Sequence, residues 1–332
     1  METVSSLLDK EWLQRYKNIS KLNIRSSIYD VTNQCNLRCK GCFFFSSDEH
    51  KRGQEEKDLN KWEQFIDNEI KRGVNLAILI GGEPTLYLDR VEAFYKRVPT
   101  YCATNGIIKV PRDRFPDMMI GISLWGDEED EKVLRGKNAF AISRKNYEGD
   151  PHTYYLYTIT PKQVGHTERV IKKIKDAGLK VHLQLLSNDE DVDGFHWTED
   201  QLKDICIEMD AMLDKYPETI ISSKYYHKII TTGIMMGRPF GWKECPSVTE
   251  PLDKRNPRPK RLIHFIRWAS DLKTMHRCCT SETRDCTTCK DGAAHMSWVM
   301  VNKREHIKTK EDLQNWIEVY EMFAKLYQFI PW

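Results

Sequence analysis

From residue 25 to about 235, short apolar runs alternate with amphipathic segments, and a chain written this way forms repeated βα units around a parallel sheet. The strand candidates are 26–32, 74–80, 98–103, 118–124, 152–160 and 181–186. Between them, Leu59, Trp62, Phe65, Ile66 and Ile70 recur at helical spacing, as do Val170, Ile171, Ile174 and Ala177 ahead of Gly178, a helix-ending glycine. Thr198-Glu-Asp-Gln201 has a capping-box pattern. The helix it opens carries Leu202, Ile205, Cys206, Met209 and Leu213 on one face, which predicts a core position for Cys206.

With 332 residues the chain can bury one large core or two modest ones. Its net charge of +2 gives no basic field of the kind that draws proteins to nucleic acid. No apolar run approaches the roughly 18 residues of a membrane span, and the N-terminus lacks the charged and apolar regions of a signal peptide. A soluble cytoplasmic protein is therefore expected. In that compartment ten cysteines do not make disulfides. Eight fall into two groups, 35, 39, 42 and 245, 278, 279, 286, 289, a clustering that metal binding explains.

The first group, Cys35-Asn-Leu-Arg-Cys39-Lys-Gly-Cys42, follows the strand 26–32, and no helical pattern resumes until about Glu55. The cysteines thus sit on a strand-to-helix loop, where bond-making groups concentrate. Three buried or zinc-bound thiols are one reading. The other is a four-iron four-sulfur cubane with three irons held by thiolates and the fourth open. Gly81-Gly-Glu-Pro84 follows the next strand, where glycines permit close backbone approach to a ligand. Thr104-Asn-Gly106, Gly121-Ile-Ser-Leu-Trp-Gly126 and Glu131-Lys-Val-Leu-Arg-Gly136 come after it in order. Each alone is ordinary turn chemistry.

In this order the motifs resemble those of the radical S-adenosylmethionine (SAM) superfamily. The resemblance implies a partial (βα)6 TIM-like barrel with its chemistry at the C-terminal strand ends. It further implies a [4Fe-4S] cluster on Cys35, Cys39 and Cys42, its open iron chelated by the amine and carboxylate of SAM. Gly81, Gly82, Glu83 and Pro84 would then hold the SAM amine, with Asn105 and Ser123 contributing from strands three and four, Ser123 toward the ribose or carboxylate. Two positions depart from the family. Gly41 stands where an aromatic residue commonly holds the adenine, with Phe43, Phe44 and Phe45 after it, so Phe43 is the substitute candidate. Trp125 replaces a common aspartate.

The division expected is an N-terminal extension at 1–24, a barrel at 25–237, a Cys-rich segment at 238–300 and a terminal helix at 301–332. Four thiolates suit either a zinc ribbon or a second iron-sulfur cluster. The resemblance favours one auxiliary [4Fe-4S] cluster of the twitch/SPASM kind on Cys245, Cys286, Cys289 and one of the adjacent pair, Cys278. Cys279 would then be a spare thiol, a hydrogen donor to a substrate radical or an inert neighbour. For substrate contacts, strand six puts His182 and Gln184 on one face. Strand five puts Tyr155 and Tyr157 on one face and Tyr154 and Thr158 on the other, and one set faces the interior.

The function expected is reductive cleavage of SAM to methionine and a 5′-deoxyadenosyl radical, which removes hydrogen from a polar small molecule of sugar, aminoglycoside or nucleoside type in natural-product biosynthesis. Oxidation, epimerisation or carbon-carbon bond formation would follow. The electron donor expected is a flavodoxin or ferredoxin, with no nucleic acid or membrane partner. About 25 residues precede the first strand, too few for the leader-binding domain of many peptide-modifying relatives, which favours the small molecule. The alternatives are a peptide-modifying or epimerising radical SAM enzyme and, from another class, a non-catalytic zinc-ribbon binding protein.

Overall fold

A computed structural model describes residues 4–46, 54–187, 195–239, 267–276, 289–301 and 307–332. All six expected strands form, within two residues of their expected bounds: β1 Ser26–Asp30, β2 Leu76–Ile80, β3 Thr100–Thr104, β4 Met119–Leu124, β5 Thr153–Ile159 and β6 Lys180–Leu185. They pair in parallel in sequence order, and every connection except that from β3 to β4 carries a helix: α2 Phe43–Ser46, α3 Leu59–Arg72, α4 Leu88–Tyr95, α5 Glu128–Arg135, α6 Ala139–Tyr147 and α7 Thr167–Asp176. The sheet with its helices is a partial barrel. Beyond β6, α8 (Glu199–Lys215) starts at the Thr198–Gln201 capping box, and α9 (Lys224–Thr232) packs on it. Its buried stripe is Ile205, Met209 and Met212. Cys206 is half-buried rather than core, because the stripe leans toward Met212.

Register assigns the two faces of the sheet. Tyr29 packs on Phe65 and Phe94 of the helices, so its face is the outer one, and Ile28 and Asp30 look into the lumen. Carried across the ladder, that face holds Ile78, Ile80, Tyr101, Ala103, Gly121, Ser123, Tyr154, Leu156, Thr158, His182 and Gln184. Every strand from β1 to β6 is buried except for a part-exposed lumen residue: Ile28, Ile80, Ala103, Ser123, Leu156 and Gln184, with Lys180 also part-exposed at the start of β6. The barrel is therefore open inside along a ring of one residue per strand. Its N-terminal end is filled by aromatic rings. Tyr101 stacks on Tyr154 at 6.0 Å, and both meet rings from the chain terminus, Tyr327 at 5.0 Å and Trp332 at 6.2 Å.

Those terminal rings follow α11 (Lys310–Leu326), whose Leu313, Trp316, Ile317, Tyr320, Phe323, Ala324 and Leu326 are all buried as its periodicity requires. It packs on α1 (Lys10–Ser20) and on α10 (Gly292–Val301). Two short strands of the Cys-rich region are described beyond the small β7–β8 hairpin (Ile234–Met235 and Arg238–Pro239). One, β9 (Arg267–Trp268), runs parallel beside β1, and the other, β10 (Met275–His276), is antiparallel to it. At the other edge Ile220 makes a single parallel bridge to Val181. The strand positions that would complete a closed barrel are thus partly filled from both sides. Arg267 of β9 forms a two-pronged ion pair with Asp30 of β1 at 3.0–3.1 Å, and both residues are at least 95 % buried. No helix among the described residues is long and apolar enough to cross a membrane.

Candidate functional site

The chain leaving β1 is anchored before the first cysteine. Glu55 accepts the Thr32 hydroxyl at 2.8 Å and the Asn33 N–H at 2.5 Å, and it pairs with the buried Arg90, which also donates to the Val31 carbonyl at 2.7 Å. The Arg90 guanidinium lies over the Tyr87 ring at 4.3 Å, which adds a cation–π contact to the pair. The Cys35–Cys42 loop then turns back on α5, where Lys40 N–H donates to the Leu134 carbonyl at 2.8 Å. Burial pushes the Cys35 thiol up to about 11, and Glu83, Cys39 and Cys42 add to the rise. Burial also raises Cys42, again with a contribution from Cys39. The three thiols are therefore electrostatic neighbours, and loading a metal group on them must expel protons.

The 81–84 turn is pressed against this loop. A Cβ at Gly82 would lie 2.0 Å from the Gln34 carbonyl oxygen, and one at Gly81, whose φ is +121°, would meet the Thr32 oxygen at 2.7 Å. The Glu83 N–H donates to that same Gln34 carbonyl at 2.7 Å. The Glu83 side chain is buried and hydrogen-bonded through both oxygens. Oε1 accepts the Thr85 N–H at 3.1 Å and the Thr85 and Thr104 hydroxyls at 2.6 Å, while Oε2 accepts the Asn105 N–H at 2.8 Å. Glu83 thus ties the ends of β2 and β3 together. Asn105 in turn donates to Asn36, between the first two cysteines, at 2.6 Å.

At the end of β4, Ser123 lines the lumen and its carbonyl accepts from the buried Arg135 of α5. Arg135 pairs with Glu131 at 3.2 Å, and Glu131 also accepts the Trp125 N–H at 2.7 Å. Arg135 and Cys39 are also electrostatic neighbours. Burial opposes its charge, but Glu131 and Cys39 more than offset that, so its pKa is raised. The Trp125 ring packs edge-on to Phe195 at 6.4 Å, in a small cluster with Leu134 and Leu186.

On β6, Gln184 lines the open lumen and donates to Thr158 at 2.8 Å. His182 faces the same way but is only 1 % exposed. Its Nδ1 donates to the Ile221 carbonyl at 2.8 Å, and burial pushes its pKa down to about 4, so the ring is neutral near pH 7. His182 is deeper than the lumen surface that Gln184 reaches. Tyr154 and Thr158 share its face, and Tyr155 and Tyr157 look outward. Phe43 starts α2, and its side chain lies outside the described residues, as do Cys245, Cys278, Cys279 and Cys286. Cys289 is described: it is 5 % exposed, its sulfur accepts the Asp291 N–H at 3.4 Å, and the next residue's N–H reaches Ser187 just past β6 at 3.2 Å.

A groove of about 1130 Å³ runs beside the cysteine loop, lined by Asn33, Gln34, Glu55, Thr85 and Arg90; a cavity of about 540 Å³ near Lys180 and Trp332 lies at the other end of the barrel, away from the cysteines. Among the described residues no three His, Cys, Asp or Glu side chains close around a single ion. A cubane makes no such demand, since its protein ligands bind separate irons at separate corners. The donor set fits a cluster: three neighbouring thiols on one loop, pinned by Glu55, Asn105 and the Leu134 carbonyl, beside a glycine turn with no room for a side chain. Glu55, Arg90, Arg135 and Arg267 were not singled out as site residues by sequence reasoning. The motif run Glu131–Gly136 was the one signal that pointed to Arg135.

Residues 29–185 match the Radical SAM superfamily. No curated protein sequence matches the chain. Among solved structures, native anSMEcpe with bound AdoMet is similar with a TM-score of 0.55 at 14 % identity, over 92 % of this chain and 98 % of that one. The anSMEcpe complex with AdoMet and Cp18Cys peptide gives 0.54 at 15 %, over 92 % and 96 %. SuiB of Streptococcus suis bound to precursor peptide SuiA gives 0.56 at 12 %, over 86 % and 67 %. At these identities the structural likeness is one of fold.

Proposed function

Because the barrel at 29–185 belongs to the radical SAM superfamily, we propose that Cys35, Cys39 and Cys42 hold a [4Fe-4S] cluster and that the chain acts on a polar small molecule seated in its lumen. When bound, the cluster supplies the electron that splits SAM into methionine and a 5′-deoxyadenosyl radical, which takes hydrogen from the substrate. The chain's own part is positioning and exclusion of water. Glu83 and Asn105 hold the glycine turn and the cysteine loop in register, so the turn's backbone is presented to the SAM amine. Ser123 offers a hydroxyl from the lumen ring. The observation that supports the substrate reading is that the ring carries two polar residues, Ser123 on β4 and Gln184 on β6, on either side of Leu156 on β5, with Gln184 bonded to the buried Thr158, whereas Ile28, Ile80 and Ala103 on β1–β3 are apolar.

An auxiliary cluster on Cys245, Cys278, Cys286 and Cys289, with zinc as the alternative, is supported by the place of Cys289 next to the end of β6. There a second cluster would stand at the mouth of the lumen, able to take up the electron left after hydrogen removal. A flavodoxin- or ferredoxin-type protein would deliver the first electron. A peptide substrate is the second reading, supported by the two peptide-bound structures of similar fold.

The test is iron and sulfide content, electron paramagnetic resonance and 5′-deoxyadenosine formation. It uses anaerobically reconstituted wild type and the Cys35→Ala, Cys39→Ala, Cys42→Ala triple variant. About eight irons falling to about four, with loss of SAM cleavage, supports both clusters. Four falling to none with zinc retained removes the auxiliary cluster, and no iron in either protein overturns the proposal.

A further inference from the structure

We propose that Ser270, on the β9–β10 hairpin, is a positioning residue for SAM binding: it fixes Asn33, and through Asn33 the Gln34 carbonyl on which the 81–84 turn is seated. The inference rests on the cluster and SAM site assigned above to the Cys35–Cys42 loop and that turn. Ser270 is fully buried, and its hydroxyl donates to Asn33 Oδ1 at 2.9 Å, across 237 positions of sequence. Its carbonyl accepts the Glu56 N–H at 2.9 Å, while the neighbouring Glu55 carboxylate accepts the Asn33 N–H. Asn33 is therefore held by side chain and backbone together. The next residue, Gln34, presents the carbonyl that accepts the Glu83 N–H at 2.7 Å and leaves no space for a Cβ at Gly82. One short chain of contacts thus runs from the hairpin to the turn.

The hairpin itself is firmly closed. Asp271 accepts the Lys273 and Thr274 N–H groups at 2.9 and 2.8 Å and the Thr274 hydroxyl at 2.6 Å, and the Ala269 N–H donates to the Thr274 carbonyl at 2.8 Å. Near Ser270, Arg267 pairs with Asp30 at the end of β1, and its guanidinium lies over the ring of Phe44, two residues past Cys42, at 5.9 Å. The same hairpin therefore touches the chain ahead of the cysteine loop and just after it. In sequence it falls between Cys245 and Cys278, so a stretch of the Cys-rich segment braces the site carried by the N-terminal cysteines. A site held in this way needs no ordering when its ligand arrives. Without the Ser270 hydroxyl, Asn33 and Gln34 gain freedom that SAM must remove on binding.

Equilibrium dialysis of SAM against the anaerobically reconstituted full chain, with iron content measured alongside, tests this. Ser270→Ala should load as much iron as wild type, because the three thiols are untouched, and should bind SAM about tenfold more weakly, an effect of the size of one hydrogen bond. Asn33→Ala should do the same. The double variant should lose no more than either single one, since both changes remove one contact. Trp268→Phe is the control: it removes the hairpin's 3.0 Å bond to Glu69 on the outer face, and should destabilise the chain in urea while keeping wild-type SAM affinity. A merely loosened hairpin would weaken SAM binding in Trp268→Phe as well. Where Ser270→Ala fails to load iron, Asn33→Ala, at a half-buried position, decides. Wild-type affinity in the loaded variants, additive losses in the double variant, or an equal loss in Trp268→Phe overturns the inference and leaves the cluster assignment standing. A wild type that holds no iron and binds no SAM overturns both.

Discussion

Replacing Gly82 with alanine probes the packing of the glycine turn against the cysteine loop without confounding backbone strain, since Gly82 does not have a positive φ. The new Cβ would lie 2.0 Å from the Gln34 carbonyl oxygen and 2.5 Å from its carbon, where ordinary contact begins near 3.4 Å. The backbone just before Cys35 must therefore retreat by about 1.4 Å. Overpacking of this kind costs about 1–3 kcal/mol of stability. The larger consequence falls on the site, because the Glu83 N–H bond to the same carbonyl, 2.7 Å long, is lost as the loop moves. Misplacement of about 1 Å at a reacting centre costs on the order of 10²-fold. We expect Gly82→Ala to fold and to cleave SAM about a hundredfold more slowly, with weakened SAM binding by equilibrium dialysis under anaerobic conditions. Gly136→Ala is the control: it adds a Cβ at a positive-φ glycine with nothing within 4 Å, so it brings strain without contact. Wild-type SAM affinity and turnover in Gly82→Ala would refute the claim that this contact sets the geometry of the site.

Two further outcomes concern stability. Arg267→Met removes the two-pronged guanidinium pairing of the buried Asp30 carboxylate, and urea denaturation should show a loss of about 3–5 kcal/mol; a loss below about 1 kcal/mol would mean that β9 is not anchored through this pair. Burial holds His182 and His295 down to about 4. Below the ordinary imidazole value near 6.5 the unfolded chain takes up protons that the native rings refuse. Stability therefore falls as pH drops from about 6.5 toward 4, by on the order of 2 kcal/mol per ring at pH 5. In His182→Gln the difference between pH 7 and pH 5 should shrink by about one ring's share, and an unchanged difference would show that His182 is not the buried neutral group described.

The six strands were legible because each is a short apolar run whose neighbours in sequence are its neighbours in the sheet, and parallel βα units leave few other arrangements. The cysteine loop and the 81–84 turn were legible for a different reason: their residue types are rare in that spacing. What holds them was not. Arg267 meets Asp30 across 237 positions, and Asn36 meets Asn105 across 69, so no local pattern announces either pair. Glu83 was legible as part of the turn expected at the SAM amine, but its bonds to Thr85, Thr104 and Asn105 were not, since only the convergence of β2 and β3 brings those partners to it. Cys206 was misplaced because Leu202, Cys206 and Leu213 lie on the flank of the α8 stripe, where spacing alone does not separate flank from centre.

The aromatic rings that fill the N-terminal end of the barrel bear on the order of events in a turnover. Tyr101 stacks on Tyr154 and each meets a terminal ring edge-on, Tyr327 or Trp332, so among the described residues aromatic rings obstruct that end, and we expect what enters from the strand C-termini to leave the same way. Two molecules that share a single doorway queue. The one seated deeper has to arrive first and depart last, so we expect a compulsory sequence of binding and release in steady-state kinetics, with the outer molecule's product competing against the next arrival at the same threshold.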